Sequence, residues 1–246
     1  MADLRTAVLA KRRAEMMDVI SAAALDQFSL HGLRGTSTQE IAERAGISKQ
    51  QLHYYIESKD LLYESILRRT MQHWGQIGLK TEDKTATPAE AIARLVRRKL
   101  DFTFDHPQVS RLFSYEVMSG GAVIRQIWAE SADSVGAAVR IIAEWVRTRE
   151  IEPIEPIFLL FHIWALTQHY ADYEPQVRFF TDCPPEETLD RERICAQITC
   201  FVLRGLGLRS AACSSVQTRC GRSKAGRLRA AKTVGKRMLK VKLCSR

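Results

Sequence analysis

The sequence predicts an all-α fold, on three observations. Apolar residues recur at helical spacing nearly from end to end, Ser or Thr N-caps precede the periodic runs, and no region alternates with period two for long. The 246 residues are 46% apolar and 26% charged, an ordinary globular balance in a chain long enough to bury a sizeable core. No stretch approaches the roughly 18 apolar residues of a membrane span. The opening MADLRTAVLAKRRAEMM lacks the apolar core and cleavage site of a secretory leader, so the cytoplasm is the expected compartment.

The first helix is expected from about Lys11 to His31, with Val19, Ala23, Leu25, Phe28 and Leu30 inward and Gly32 as its terminator. Ser37, with Glu40 three residues later, forms a capping box that starts a short helix ending at Gly46. Ser48 caps another short helix, about Lys49 to Tyr55. Ser58 caps a long one that turns Leu61, Leu62, Ile66 and Leu67 inward. Thr87-Pro88 opens a helix that His106-Pro107 breaks. The next runs from Pro107 to Met118 and stops at Gly120-Gly121, and a long helix follows from Val123 to about Thr148. Ile157 to about Tyr173 is apolar on most faces, as in a buried helix, with His162 expected in the core. A loop from Pro175 through Pro184-Pro185 leads to a last helix, Glu186 to Leu206, with an apolar stripe of Ile194, Ile198, Phe201, Val202 and Leu206.

The net charge of +9 is unevenly placed. Residues 209–246 carry 12 Lys/Arg and no acid, so residues 1–208 hold 25 basic against 28 acidic groups, a net of −3. Whole-chain charge therefore says nothing about nucleic acid, and local motifs must. The tail should be disordered or weakly helical, either adding salt-dependent affinity for phosphates or doing nothing. The six cysteines include no CxxC pair and no His at zinc-ligand spacing, so neither a metal nor a disulfide framework is expected. GxSxG, HExxH, P-loop and dinucleotide fingerprints are all absent, which leaves no catalytic set.

Two short capped helices joined by a glycine turn, between long helices, form a helix-turn-helix. The second is thin enough for the DNA major groove. Lys49, Gln50, Gln51, His53, Tyr54 and Tyr55 supply donors and π-faces there, with no acid before Glu57. Ile41, Ala42, Ala45, Ile47 and Leu52 face inward. The helix starts at Ser37-Thr38-Gln39 and at Ser48 offer backbone N–H groups to phosphates, and Lys59 is placed to reach a flanking one.

On these residues the chain resembles the TetR/AcrR family of repressors. The family pattern stands here as Thr36, Ser37, Ile41, Ala42, Ala45, Gly46, Ile47, Ser48, Leu52, Ile56, Ser58, Lys59 and Leu62. Two positions depart from it: His53 replaces a common tyrosine and Ile56 a phenylalanine. The resemblance implies a three-helix DNA-binding domain (residues 11–57), then a ligand-binding and dimerisation domain (58–208), with the basic tail (209–246) outside the family pattern. It also implies operator double-stranded DNA as partner, a homodimer, and an effector that moves the recognition helices apart.

The C-terminal part is similar to one branch of that family, the pyrimidine-utilisation regulators, through Ser110-Arg111-Leu112-Phe113 with Glu116, through Ile163-Trp164-Ala165 to Pro175-Gln176-Val177, and through Trp74. The branch implies uracil or thymine as effector, in control of pyrimidine and nitrogen metabolism. The chemistry agrees. Phe161, Trp164 and Gln168 share a helix face, so an indole can stack a flat ring while an amide pairs with its imide edge. Arg111 could bond a carbonyl, and Trp74 could close the slot. The dimer is expected to pair helices at about 157–173 and 186–206 as a four-helix bundle. Two alternatives stay open: a TetR-type regulator of another pathway, and a ligand-independent architectural protein.

Overall fold

A computed structural model describes residues 2–80 and 86–208. The basic tail, 209–246, lies outside the described residues, and its expected disorder and phosphate contacts with it. Ten helices and no strand occur among the described residues: α1 (Ala2–Gly35), α2 (Thr38–Ala45), α3 (Lys49–Tyr55), α4 (Lys59–Ile77), α5 (Pro88–Asp105), α6 (Pro107–Met118), α7 (Ile124–Arg147), α8 (Pro156–Asp172), α9 (Glu174–Thr181) and α10 (Arg191–Gly205). None of them is long and apolar enough to cross a membrane.

The starts of α2 to α8 lie within a residue of where the sequence placed them, for the expected reason, whereas α1 begins at Ala2 rather than near Lys11. Ser37, Ser48 and Thr87 each accept from the backbone N–H three residues on, and Glu40, Gln51 and Glu90 bond back to the cap N–H. Pro88, Pro107 and Pro156 sit in first turns, where a missing N–H costs nothing. Gly46 ends α2 in the left-handed conformation. Gly32, at φ 65°, breaks α1 into a long arm and a final turn. A Cβ there would lie 2.1 Å from a ring carbon of Tyr115, so α1 crosses α6 where only glycine fits.

Two apolar clusters organise these elements. The first gathers Ile20, Ala24 and Phe28 of α1, Ile41, Ala42 and Leu52 of the helix-turn-helix, and Leu62, Tyr63, Ile66 and Leu67 of α4. It reaches across to Leu112, Ile124 and Ile127. The second packs α5 between α8 and α10, with Ile141, Ile142 and Trp145 of α7. α4 belongs to the first cluster at its start and lies against α7 and α5 further on, so it joins the two.

Several expectations need correction. Val19, Leu30 and Leu61 are exposed; Ile20, Ala24 and Tyr63 take the inward places, because the stripe runs one residue away. The expected loop after Pro175 holds α9, started by the proline itself and tied by Arg178 to Glu174 at 2.9 Å. The last helix begins at Arg191 on an Asp190 cap rather than at Glu186. In α10, Ile198, Val202 and Leu206 face the chain's own core while Phe201 points out at 69% exposure. His162 is exposed, not in the core.

Candidate DNA-reading surface and effector cavity

The second helix of the helix-turn-helix, α3, is fixed from below by Leu52, which is fully buried, and by Ile56 after its end. Lys49, Gln50, Gln51, His53 and Tyr54 remain exposed on its outer face, and Tyr55 is half-buried against the core. The expected DNA-facing side chains therefore come together on one surface, with Tyr55 contributing only in part.

The helix starts are more occupied than the sequence suggests. Ser37 N–H donates to Glu40 at 2.7 Å, Ser48 N–H donates to Gln51 Oε1 at 2.9 Å, and both hydroxyls accept from the third residue of their helix. The cap N–H of Ser37 draws the Glu40 carboxyl below its ordinary range. The first-turn N–H groups of Thr38, Gln39, Lys49 and Gln50 have no intrahelical acceptor by geometry, and they are the donors open to a phosphate. The Gln39 amide itself donates to Glu43 at 2.7 Å.

Lys59 is not a phosphate ligand in this arrangement. Its ammonium donates to the carbonyls of Leu33 and Thr36 at 2.7 and 2.6 Å, stapling the α1–α2 connection to the start of α4. Lys59→Met should lower the melting temperature by several degrees, since two partly buried carbonyls lose a charged donor. The log–log salt slope of operator binding should stay unchanged, and a slope reduced by about one would restore the phosphate role.

The sequence reading missed a basic residue here. Arg13 of α1 places its guanidinium 5.4 Å from the ring centres of both Tyr54 and Tyr55. These contacts bring the exposed run Lys11-Arg12-Arg13 beside the outer face of α3.

A cavity of about 600 Å³ opens between α4, α5, α6, α7 and α8. Trp74, Phe161, Trp164 and Gln168, chosen from the sequence, all line it. Trp74 meets Phe113 edge-on at 4.5 Å, and Phe161 lies 5.5 Å from Trp164. Phe113 and Trp128 complete an aromatic wall that single-helix periodicity could not reveal, because they sit on other helices.

Lys99 was also missed, although a signal existed. It stands between Leu95 and Thr103 at four-residue spacing, a lysine on the buried stripe of α5. Its ammonium is 5.0 Å from the Trp74 ring and 5.7 Å from that of Trp164. Burial pushes its amine down to about 8.

Arg111 is not in the cavity, so its ligand role falls. Its Nη1 lies 3.7 Å from Glu174 and 3.5 Å from the Ala171 carbonyl, fastening α6 to the α8–α9 junction. Asp172 makes the same joint by accepting from Ser110 at 2.7 Å and Ser114 at 2.5 Å. Glu116 binds neither Arg111 nor the cavity. Its buried carboxylate accepts from Tyr63 Oη at 2.9 Å and from the N–H groups of Val123 and Ile124 at 2.8 and 3.3 Å. Burial, and then this carboxylate, push the Tyr63 hydroxyl well above its ordinary range.

A helix-turn-helix carried on the same helix that walls an apolar cavity defines a one-component DNA-binding regulator with a small-molecule site. The chain belongs to the TetR family of bacterial regulatory proteins. The N-terminal family profile, "Bacterial regulatory proteins, tetR family", matches residues 20–66, and "YcdC-like protein, C-terminal region" matches 67–209. Members are DNA-binding regulators, not enzymes. The chain is 40% identical over 176 residues to the HTH-type transcriptional regulator RutR of Escherichia coli K12, covering 71% of this chain and 80% of the relative. It is 28% identical over 141 residues to the HTH-type transcriptional repressor NicS of Pseudomonas putida, covering 56% and 66%. Among solved structures, AibR with isovaleryl coenzyme A and operator DNA superposes with a TM-score of 0.60 at 18% identity, covering 76% of this chain and 97% of that one. The ketosteroid regulator KstR2 of Mycobacterium tuberculosis does so at 0.61 and 18%, covering 81% and 96%. At such identities the agreement is one of fold.

Proposed function

We propose that this protein is a homodimeric repressor whose operator affinity is lowered by a pyrimidine, uracil or thymine, bound in the α4–α8 cavity. The observation that carries the reading is the meeting of Trp74, Trp164 and Gln168 on one cavity wall. The indoles offer faces to a flat ring, and the amide can both accept from and donate to an imide edge. The sequence likeness to the pyrimidine-utilisation branch supports the same ligand. Residues 11–57 read DNA, 58–208 hold the effector and the partner subunit, and α4, the first helix of the second unit, packs against both.

The reading surface is that of α3, with Lys49, Gln50, His53 and Tyr54 toward the bases and first-turn N–H groups on phosphates. A dimer presents two such helices to successive major grooves. The partner surface is the face of α8 and α10 that stays exposed: Phe158, His162, Ala165 and His169 on one, Gln197, Phe201 and Arg204 on the other. Each set recurs at three- and four-residue steps, which places it on one side of its helix.

One observation favours a second reading. The cavity volume is in the range of sites for drug-sized ligands and exceeds what a bare pyrimidine ring fills. A larger ring-bearing effector is the alternative. The test is a thermal-shift and operator-release titration with uracil and thymine. A dose-dependent rise in melting temperature with loss of DNA binding is expected. No shift at millimolar ligand would remove the pyrimidine and leave the larger effector.

A further inference from the structure

We infer that Lys99 is the residue that reads the effector, donating from its ammonium to a ring carbonyl oxygen of the pyrimidine held beside Trp74 and Trp164. This rests on the pyrimidine reading above and assigns a role that neither the aromatic wall nor Gln168 can fill.

Among the described residues, Lys99 has no carboxylate partner and no hydrogen-bond acceptor; its neighbours are the two indole rings, at 5.0 and 5.7 Å. Ring faces attract a cation but present no lone pair, so the hydrogen bonds its N–H groups could donate remain unmade. The described lining agrees with this isolation. α4 contributes Met71, Trp74, Gly75 and Gly78, and α6 contributes Phe113 and Val117. From α7 and α8 come apolar and aromatic groups with Ser134 and Gln168, and on α5 itself Leu95 and Thr103 flank the lysine. Among the described residues, no Asp, Glu or His lines the cavity. Nearby, the His73 ring turns toward Phe102, 6.3 Å away, and bonds the Arg69 carbonyl.

A buried cation without an anion is costly, and sequences keep one where something else satisfies it. The ligand must therefore bring an oxygen. A cyclic imide brings two carbonyls flanking one N–H, so one carbonyl and the N–H can meet Gln168 while the other accepts from Lys99. An aromatic hydrocarbon of the same shape would leave the ammonium as unsatisfied as before, which gives the site its selectivity for the carbonyl-bearing ring.

Binding must then be linked to protons. The free amine titrates near 8 and the bound ammonium is stabilised, so its affinity for the proton rises on binding. At pH 8 complex formation should take up about half a proton, and at pH 6 none. Uracil affinity should be flat below that pH and fall as pH rises above it.

The experiment is isothermal titration of the full-length dimer with uracil at pH 6 and pH 8, each in two buffers of different ionisation enthalpy, for the wild type, Lys99→Met and Lys99→Arg. Uptake at pH 8 only is expected in the wild type. Lys99→Met should bind about 10–100-fold more weakly with no uptake, as for loss of a charged hydrogen bond. Lys99→Arg, which keeps a donor but does not titrate, should bind without uptake. Folding does not confound the result, because removing an unpaired buried cation should raise the melting temperature of effector-free Lys99→Met. Uracil binding to Lys99→Met at wild-type affinity, or wild-type binding without proton uptake, would overturn the role of Lys99 and leave the pyrimidine reading intact. Failure of wild type to bind uracil or thymine would overturn both.

Discussion

Phe201→Asp is expected to produce a monomer that has lost tight operator binding. Phe201 projects from α10 at 69% exposure, while its neighbours Val202 and Leu203 are buried in the chain's own core. The substitution should therefore leave the protomer folded, with a change in stability within about 0.5 kcal/mol, as for surface positions. In a two-fold dimer the same residue lies in the interface twice, so two carboxylates would be desolvated without partners. Loss of the second recognition helix removes the avidity of a two-site contact, worth about 10²–10⁴-fold. Light scattering coupled to size exclusion and operator anisotropy check the two halves of the expectation. A Phe201→Asp protein that stays dimeric would move the interface away from α10.

The second large effect is expected at Glu116. Its carboxylate joins three elements: Tyr63 of α4, the backbone at the start of α7, and α6, which carries Phe113 and Val117 into the cavity wall. Tyr63 in turn meets Phe28 of α1 edge-on at 5.0 Å. One buried acid thus ties the cavity wall to the DNA-reading unit, and it is the expected route of coupling between them. Glu116→Ala should cost about 3–5 kcal/mol, since it leaves a buried hydroxyl and two N–H groups without acceptors. Tyr63→Phe is gentler and removes one donor, at about 1–2 kcal/mol. In Tyr63→Phe the effector and operator should each still bind, while the factor by which one weakens the other shrinks. Chemical denaturation measures the first quantity, and operator titrations with and without saturating effector measure the second. An unchanged coupling factor would assign Glu116 to stability alone.

The same logic separates Lys59 from the phosphate contacts. Sequence position made it a candidate for DNA because it sits just past the recognition helix. In space it faces the carbonyls that α1 and the α1–α2 turn leave open, and an ammonium near a helix C-terminus is drawn to them. Lysine at this position thus serves the geometry of the reading unit, and only indirectly its affinity.

The sequence by itself determined the fold class, the starts of α2 to α8 and the reading helix. Those are local matters: a Ser or Thr cap with its third residue, a proline in a first turn and a glycine at φ > 0 act within a few residues, and the chain records them directly. It also named Trp74, Trp164 and Gln168, because two of them share a helix face and the third marks a known pattern. The tertiary structure decided what depends on separate helices meeting. It set Arg111 on Glu174 rather than in the cavity, turned Phe201 outward from a stripe that otherwise faces inward, and placed Lys99 between two indoles from α4 and α8. Helical periodicity fixes the angle of a side chain about its own axis, but it does not say which neighbour lies at that angle. Only the packing of α4, α5 and α8 around one space supplies that.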